Sequence, residues 1–147
     1  EMLRQDKKQE EGITVKSDAV HRLEGIGGDA LELGVVFKSP AAKEVGVDVL
    51  CDKGGENGLR VAYVADTKTL RVGKVNAPLA LKEGEDLSLR VFVDKNLVEV
   101  FANDRQAISR RVYPVRSDSL GVSLFASGGI AHFKTVKAWE MMPANPY

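Results

Sequence analysis

From Ile13 onward the chain alternates apolar and polar residues with a period of two. Leu31, Leu33, Val35 and Phe37 alternate with Glu32, Gly34, Val36 and Lys38. The rhythm returns at Leu59, Val61, Tyr63 and Ala65, at Leu87, Leu89, Val91 and Val93, and at Leu120, Val122, Leu124 and Ala126. Successive side chains of a strand point to opposite faces, so each run offers one apolar face to a core. Turn-forming clusters separate the runs at Gly27-Gly28-Asp29, Ser39-Pro40, Asp52-Lys53-Gly54-Gly55, Asn57-Gly58 and Ser127-Gly128-Gly129. About nine or ten such strands without a helical stretch predict an all-β fold, a two-sheet antiparallel β-sandwich, with a closed barrel as the weaker alternative.

Glu1 to Glu11 (EMLRQDKKQEE) is charged, with Met2 and Leu3 as its apolar anchors. It reads as a connecting segment outside the core, at most one helical turn. The most informative stretch is Leu87 to Tyr113. With Lys95 and Asn96 at the centre of a tight turn, Val93 faces Val98 and Val91 faces Val100 on one side. Arg90, Phe92, Glu99 and Phe101 then occupy the other side. A second turn at Asn103-Asp104-Arg105 would bring Arg110 opposite Glu99, or Arg111 if the loop is longer.

Composition narrows the function classes. The length of 147 residues suits one domain. Lys plus Arg equals Asp plus Glu at 21 each, which removes the electrostatic reason to expect nucleic acid or an anionic membrane as partner. No apolar run is long enough for a membrane span, and no signal peptide opens the chain. The start at Glu1 suggests a piece of a longer polypeptide. The single cysteine, Cys51, continues the run Val45, Val47, Val49 and reads as a core residue. His21 and His132 stand far apart with no second ligand at metal spacing, and Asp52, Glu56 and Asn57 form no recognised calcium loop. No metal or other cofactor is expected.

Leu89-Arg90-Val91-Phe92-Val93-Asp94-Lys95, followed by Val98-Glu99-Val100-Phe101-Ala102-Asn103-Asp104, resembles the C-terminal domain of glycoside hydrolase family 32, the family of invertases, levanases and inulinases. Arg111-Val112-Tyr113-Pro114 and Gly121 to Gly129 through Trp139-Glu140-Met141 continue the resemblance, and Glu1-Met2-Leu3-Arg4 looks like the family's inter-domain linker. The resemblance implies a lectin-like jelly-roll sandwich behind a separate N-terminal catalytic propeller. It also implies a division into a linker at 1–12, a sandwich at 13–142 and a tail at 143–147. The family's catalytic Arg-Asp-Pro and Glu-Cys motifs are absent from this sequence, so no catalytic residue is assigned. Arg105 stands where family members often carry Gly, which implies a turn built differently. The sequence is also closely similar to carbohydrate-binding module family 66, whose members capture terminal fructose of levan-type fructans.

An arginine fork beside a carboxylate can hydrogen-bond vicinal sugar hydroxyls, and charged partners make these the stronger bonds. The carbohydrate-binding candidates are therefore Glu99, Arg90, Arg110, Arg111, Asp48 and Tyr113; Tyr113 or Trp139 could stack on a sugar ring, although Trp139 reads first as a core residue. The plain structural alternative is a cross-strand charge cluster in which Arg90 and Arg110 balance Glu99. Three functions compete: an accessory module that binds levan or inulin ends, a structural domain that stabilises or dimerises a propeller through Phe92, Phe101 and Leu97, or a lectin-like adhesion module for a different glycan. A polysaccharide ligand implies an extracellular or periplasmic setting.

Overall fold

The computed structural model describes residues 2–27, 30–38, 42–51, 58–95, 97–111 and 121–143. They form twelve strands: β1 (Met2–Val15), β2 (Ala19–Gly27), β3 (Ala30–Phe37), β4 (Glu44–Cys51), β5 (Leu59–Val64), β6 (Thr69–Val72), β7 (Val75–Pro78), β8 (Leu87–Asp94), β9 (Leu97–Ala102), β10 (Gln106–Arg111), β11 (Gly121–Ser127) and β12 (Ala131–Pro143). Six make one antiparallel sheet in the order β1-β12-β3-β8-β9-β10, and six the other in the order β2-β11-β4-β5-β6-β7. The sheets stay open at their edges, so the molecule is a sandwich and not a barrel.

The period-two runs explain why the sheets close on each other. Leu31, Leu33, Val35 and Phe37 of β3 meet Leu87, Leu89, Val91 and Val93 of β8 pair by pair, and all of them are buried. Val45, Val47 and Val49 of β4 meet Tyr63, Val61 and Leu59 of β5 on the facing sheet. Cys51 is buried, but not as the alternation predicts: Leu50 takes a left-handed φ of 56° and joins Val45, Val47 and Val49 in the core cluster, and Cys51 lies outside that cluster.

The charged N-terminal segment differs from expectation. Residues 2–12 are neither a helical turn nor outside the sheets: they are the first part of β1, paired with β12 from Met2 opposite Pro143 to Val15 opposite Ala131. Strand pairing uses backbone groups, so a polar sequence can join a sheet edge, where charge also discourages pairing with another molecule. The short β6 and β7 lie within the remainder of the twelve strands, and no long alternation marks them.

Gly46 shows how tightly the second sheet is built. A Cβ there would sit 1.8 Å from the Val61 carbonyl oxygen. Gly46→Ala should therefore lower stability by about 3 kcal/mol or more, measured by urea denaturation. A loss under about 1 kcal/mol would refute this account of the packing.

Candidate functional site

The β8–β9–β10 hairpins set the site. Val93 pairs with Val98 and Val91 with Val100, as the sequence predicts, so Phe92 lies opposite Glu99 and Arg90 opposite Phe101. All four Val side chains are buried. The outer face of the first sheet is then a lattice of rows running across the strands. One row reads Trp139, Glu32, Phe92, Glu99, Ser109, and the next reads Lys137, Gly34, Arg90, Phe101, Ala107.

The second hairpin corrects both expected registers. Ser109 stands opposite Glu99, Arg110 opposite Val98, and Arg111 opposite Leu97. The cause is the turn. Asn103 (φ 51°) and Asp104 (φ 54°) take its left-handed positions, residue types that tolerate them, while Arg105 donates its N–H to the Ala102 carbonyl at 3.0 Å. Pairing resumes at Gln106 opposite Ala102. A one-residue change of register turns every side chain to the other face. Arg110 therefore points toward the facing sheet, where a Cβ on Gly73 would meet its Nη2 at 3.7 Å, and its Nε is buried without a hydrogen-bond partner.

Two more expectations are corrected. Asp48 is on the outer face of the opposite sheet, 8% exposed, held bidentately by Arg60 (Nε to Oδ1 2.8 Å, Nη2 to Oδ2 2.9 Å). Arg60 also lies 3.8 Å over the Phe125 ring. With the sheets roughly 10 Å apart, Asp48 cannot share a ligand with Glu99. Trp139 does not enter the core between the sheets: it pairs with Glu32 on the outer face, half-buried, while its neighbour Ala138 faces inward. Tyr113 lies outside the described residues.

Of the six candidates, Arg90, Glu99 and Arg111 come together. Arg90 and Arg111 are both diagonal neighbours of Glu99, a relation that long side chains can span. Arg90 reaches Glu32 at 3.4 Å and lies 5.1 Å over Phe92, with its side chain 52% exposed and donors left over. The expected balancing of Glu99 does not occur, because Arg90 pairs with Glu32 and Arg110 is on the other face. Glu99 is half-buried and makes no hydrogen bond or ion pair among the described residues. Phe92 and Phe101 meet edge to face at 5.9 Å. Glu32 is a site residue the sequence does not reveal: it is an outward residue by period, yet only 3% exposed. Among the described residues no group of three or more His, Cys, Asp or Glu is gathered as a metal ion would need.

Beside Arg90 and Phe101, a half-open cleft of about 150 Å³ is lined by Glu85, Ser88, Asn103 and Asp104 as well. Its wall is rigid. Asn103 accepts from the Ser88 N–H at 2.7 Å and donates to Glu85 (3.1 Å) and to the Asp86 carbonyl (2.9 Å). Arg105 pairs with Glu85 and donates to the Ala80 carbonyl at 3.0 Å.

Residues 1–140 match the family described as "Glycosyl hydrolases family 32 C terminal". The chain belongs to that family. It is 33% identical to a levanase of Bacillus subtilis (strain 168) over 169 residues, covering 97% of this chain and 24% of the levanase. It is 36% identical to beta-fructofuranosidase 1 of Zea mays over 110 residues, 65% of this chain and 16% of that protein. The fold is also found in a fructosyltransferase from A. japonicus (TM-score 0.79, 21% identity, 97% of this chain and 27% of that one). A fructan 1-exohydrolase IIa from Cichorium intybus shares it too (TM-score 0.80, 16% identity, 97% and 36%). The chain thus spans a quarter or less of the length of the two curated relatives.

The wall of the cleft gives this family 32 C-terminal domain a pH signature. Arg105, then the Lys82 N–H, holds the Glu85 carboxyl down at about 2, below its ordinary 4.5. A carboxyl lowered by folding adds stability above the unfolded value and loses it as pH falls toward the folded one. Glu85→Gln should lower Tm at pH 7, and the gap to wild type should close between about pH 4.5 and 2. A gap that is constant across that range in calorimetry would disprove it.

Proposed function

We propose that this domain is a non-catalytic carbohydrate-binding module that takes the terminal fructose of levan- or inulin-type fructans on the outer face of the first sheet. The observation that carries the proposal is Glu99: a mid-strand carboxylate without a partner among the described residues, beside an aromatic pair and flanked diagonally by Arg90 and Arg111. A buried or half-buried carboxylate left without donors is costly, and a vicinal diol supplies them. The arginines donate to the same hydroxyls, and the Phe101 ring, 37% exposed, offers an apolar surface to the sugar's carbon face. The names of the relatives, a levanase and a fructan 1-exohydrolase, support a fructan as ligand. In this proposal a catalytic propeller precedes the domain in the parent chain, and the module raises the enzyme's concentration at polymer ends outside the cytoplasm.

A second function has a specific observation in its favour. Phe101 with half-buried Phe92 and Leu97 is an apolar patch on an otherwise polar face, as a domain that docks on a propeller or on its own copy would need. Sedimentation of the 147-residue chain as a dimer that Phe101→Glu dissolves would favour it.

Isothermal titration with levan and inulin tests the first proposal. We expect binding to at least one of them, weakened about tenfold or more by Glu99→Gln and by Arg90→Ala, a loss of roughly 1.4 kcal/mol each. Asp48→Asn should leave affinity unchanged while lowering stability by roughly 1–3 kcal/mol through the lost Arg60 contact. No heat with either polymer, or equal loss from Asp48→Asn, overturns it.

A further inference from the structure

Gly34 is a glycine the fold does not ask for. Gly46 is required, because a side chain there would strike the Val61 backbone. Gly34 has no left-handed φ, and a Cβ on it would meet nothing within 4 Å. It sits in the interior of β3, where glycine weakens a strand by its flexibility and gives neighbours nothing to pack against. Neither backbone geometry nor packing accounts for it. A gap of this kind in a strand is characteristic of a place where something outside the sheet comes close.

The surroundings say what that something is. Gly34 lies directly between Arg90 on β8 and Lys137 on β12, and Glu32, two residues away on the same strand, faces the same side. Lys137 is half-buried and makes no ion pair among the described residues. The gap is thus rimmed by two cations and closed at one end by a carboxylate that already holds Arg90. Such a rim offers many donors and one acceptor, and with Glu99 on the same face two carboxylates stand against these two cations, so the rim lacks the concentrated positive charge that selects a polyanion.

We infer that Gly34 is the floor of a second sugar subsite, so that the face binds a short oligosaccharide lying across the strands from Glu99 to Lys137. The inference rests on the sugar-binding proposal above and extends it from a single chain-end residue to its neighbours. Glu99 on β9 and Lys137 on β12 are three strand spacings apart, roughly 14 Å. That is more than one ring spans and suits a di- or trisaccharide. The hydroxyls of the inner units accept from Lys137 and Arg90, and the absent side chain at position 34 lets the ring approach the sheet.

The test compares fructose with the trisaccharide 1-kestose by isothermal titration against wild type, Gly34→Val, Gly34→Ala, Lys137→Gln and Glu99→Gln. Gly34→Val and Gly34→Ala should keep or raise Tm, since the site is open and both residues suit a strand better. We expect Gly34→Val to weaken 1-kestose about tenfold while leaving fructose within about twofold, Lys137→Gln to weaken 1-kestose alone by about threefold, and Glu99→Gln to weaken both. Equal 1-kestose affinity in wild type and Gly34→Val, with Glu99→Gln still defective, overturns the subsite and leaves the primary proposal standing. Loss of fructose together with a lowered Tm in both Gly34 variants also overturns it, by making Gly34 a structural residue. If wild type binds neither sugar, the primary proposal falls and takes this one with it.

Discussion

The register of one hairpin decides what this domain can present to its surroundings. In a two-sided sheet, pairing fixes not only neighbours but faces, because a slip of one residue exchanges them. At the β9–β10 turn, Asn103 and Asp104 absorb the left-handed conformation and Arg105 is set between the turn and the ladder. The Asn103 side chain, which donates to Glu85 and the Asp86 carbonyl and accepts from the Ser88 N–H, and the Arg105–Glu85 pair fasten this turn to the start of β8 and the segment before it. The apolar layer of Val91, Val93, Val98 and Val100 holds the other end of the same register. Together they keep Glu99 and Arg111 outward and Arg110 inward.

Much of this was legible in the residues themselves. The alternation of Leu87 to Val93 and of Leu31 to Phe37 marked strands and their buried faces, because burial is the quantity that period two records. The β8–β9 register followed from turn chemistry and matching valines. Two of the failures had a common cause. The placement of Asp48 on a different sheet from Glu99, and of Trp139 beside Glu32, depends on which distant strands share a sheet, and local pattern does not encode that. β1 failed for a different reason: an edge strand held by backbone bonds needs no apolar period, so its charged sequence looked like a connection. The Arg110 assignment failed by one residue of loop, the smallest error that inverts a face.

The two outer faces show what it means for polar groups to be finished or unfinished. On the second sheet, Arg60 binds both oxygens of Asp48 and covers Phe125, so donor, acceptor and ring are satisfied within the protein. On the first sheet, Arg90 makes one long ion pair, to Glu32, and lies over Phe92, and Glu99 has no partner among the described residues. Arginine and carboxylate occur on both faces, and composition does not tell them apart. Of these two described clusters, the one on the first sheet has bonding capacity left for an outside molecule.

That remaining capacity has a sign pattern, and the pattern selects the chemistry of the partner. Along the two rows on the first sheet, Glu32 and Glu99 alternate with Arg90 and Lys137, and the aromatic rings of Phe92 and Phe101 lie between them. A polyanion drawn to the cations would bring its charges against two carboxylates, and a polycation would meet the reverse penalty. A neutral polyol pays neither cost. Each of its hydroxyls both donates and accepts, so it can use carboxylate and guanidinium in turn while its carbon face lies on a ring. Specificity for a sugar follows from that local alternation and from the room above Gly34, not from any one strong contact.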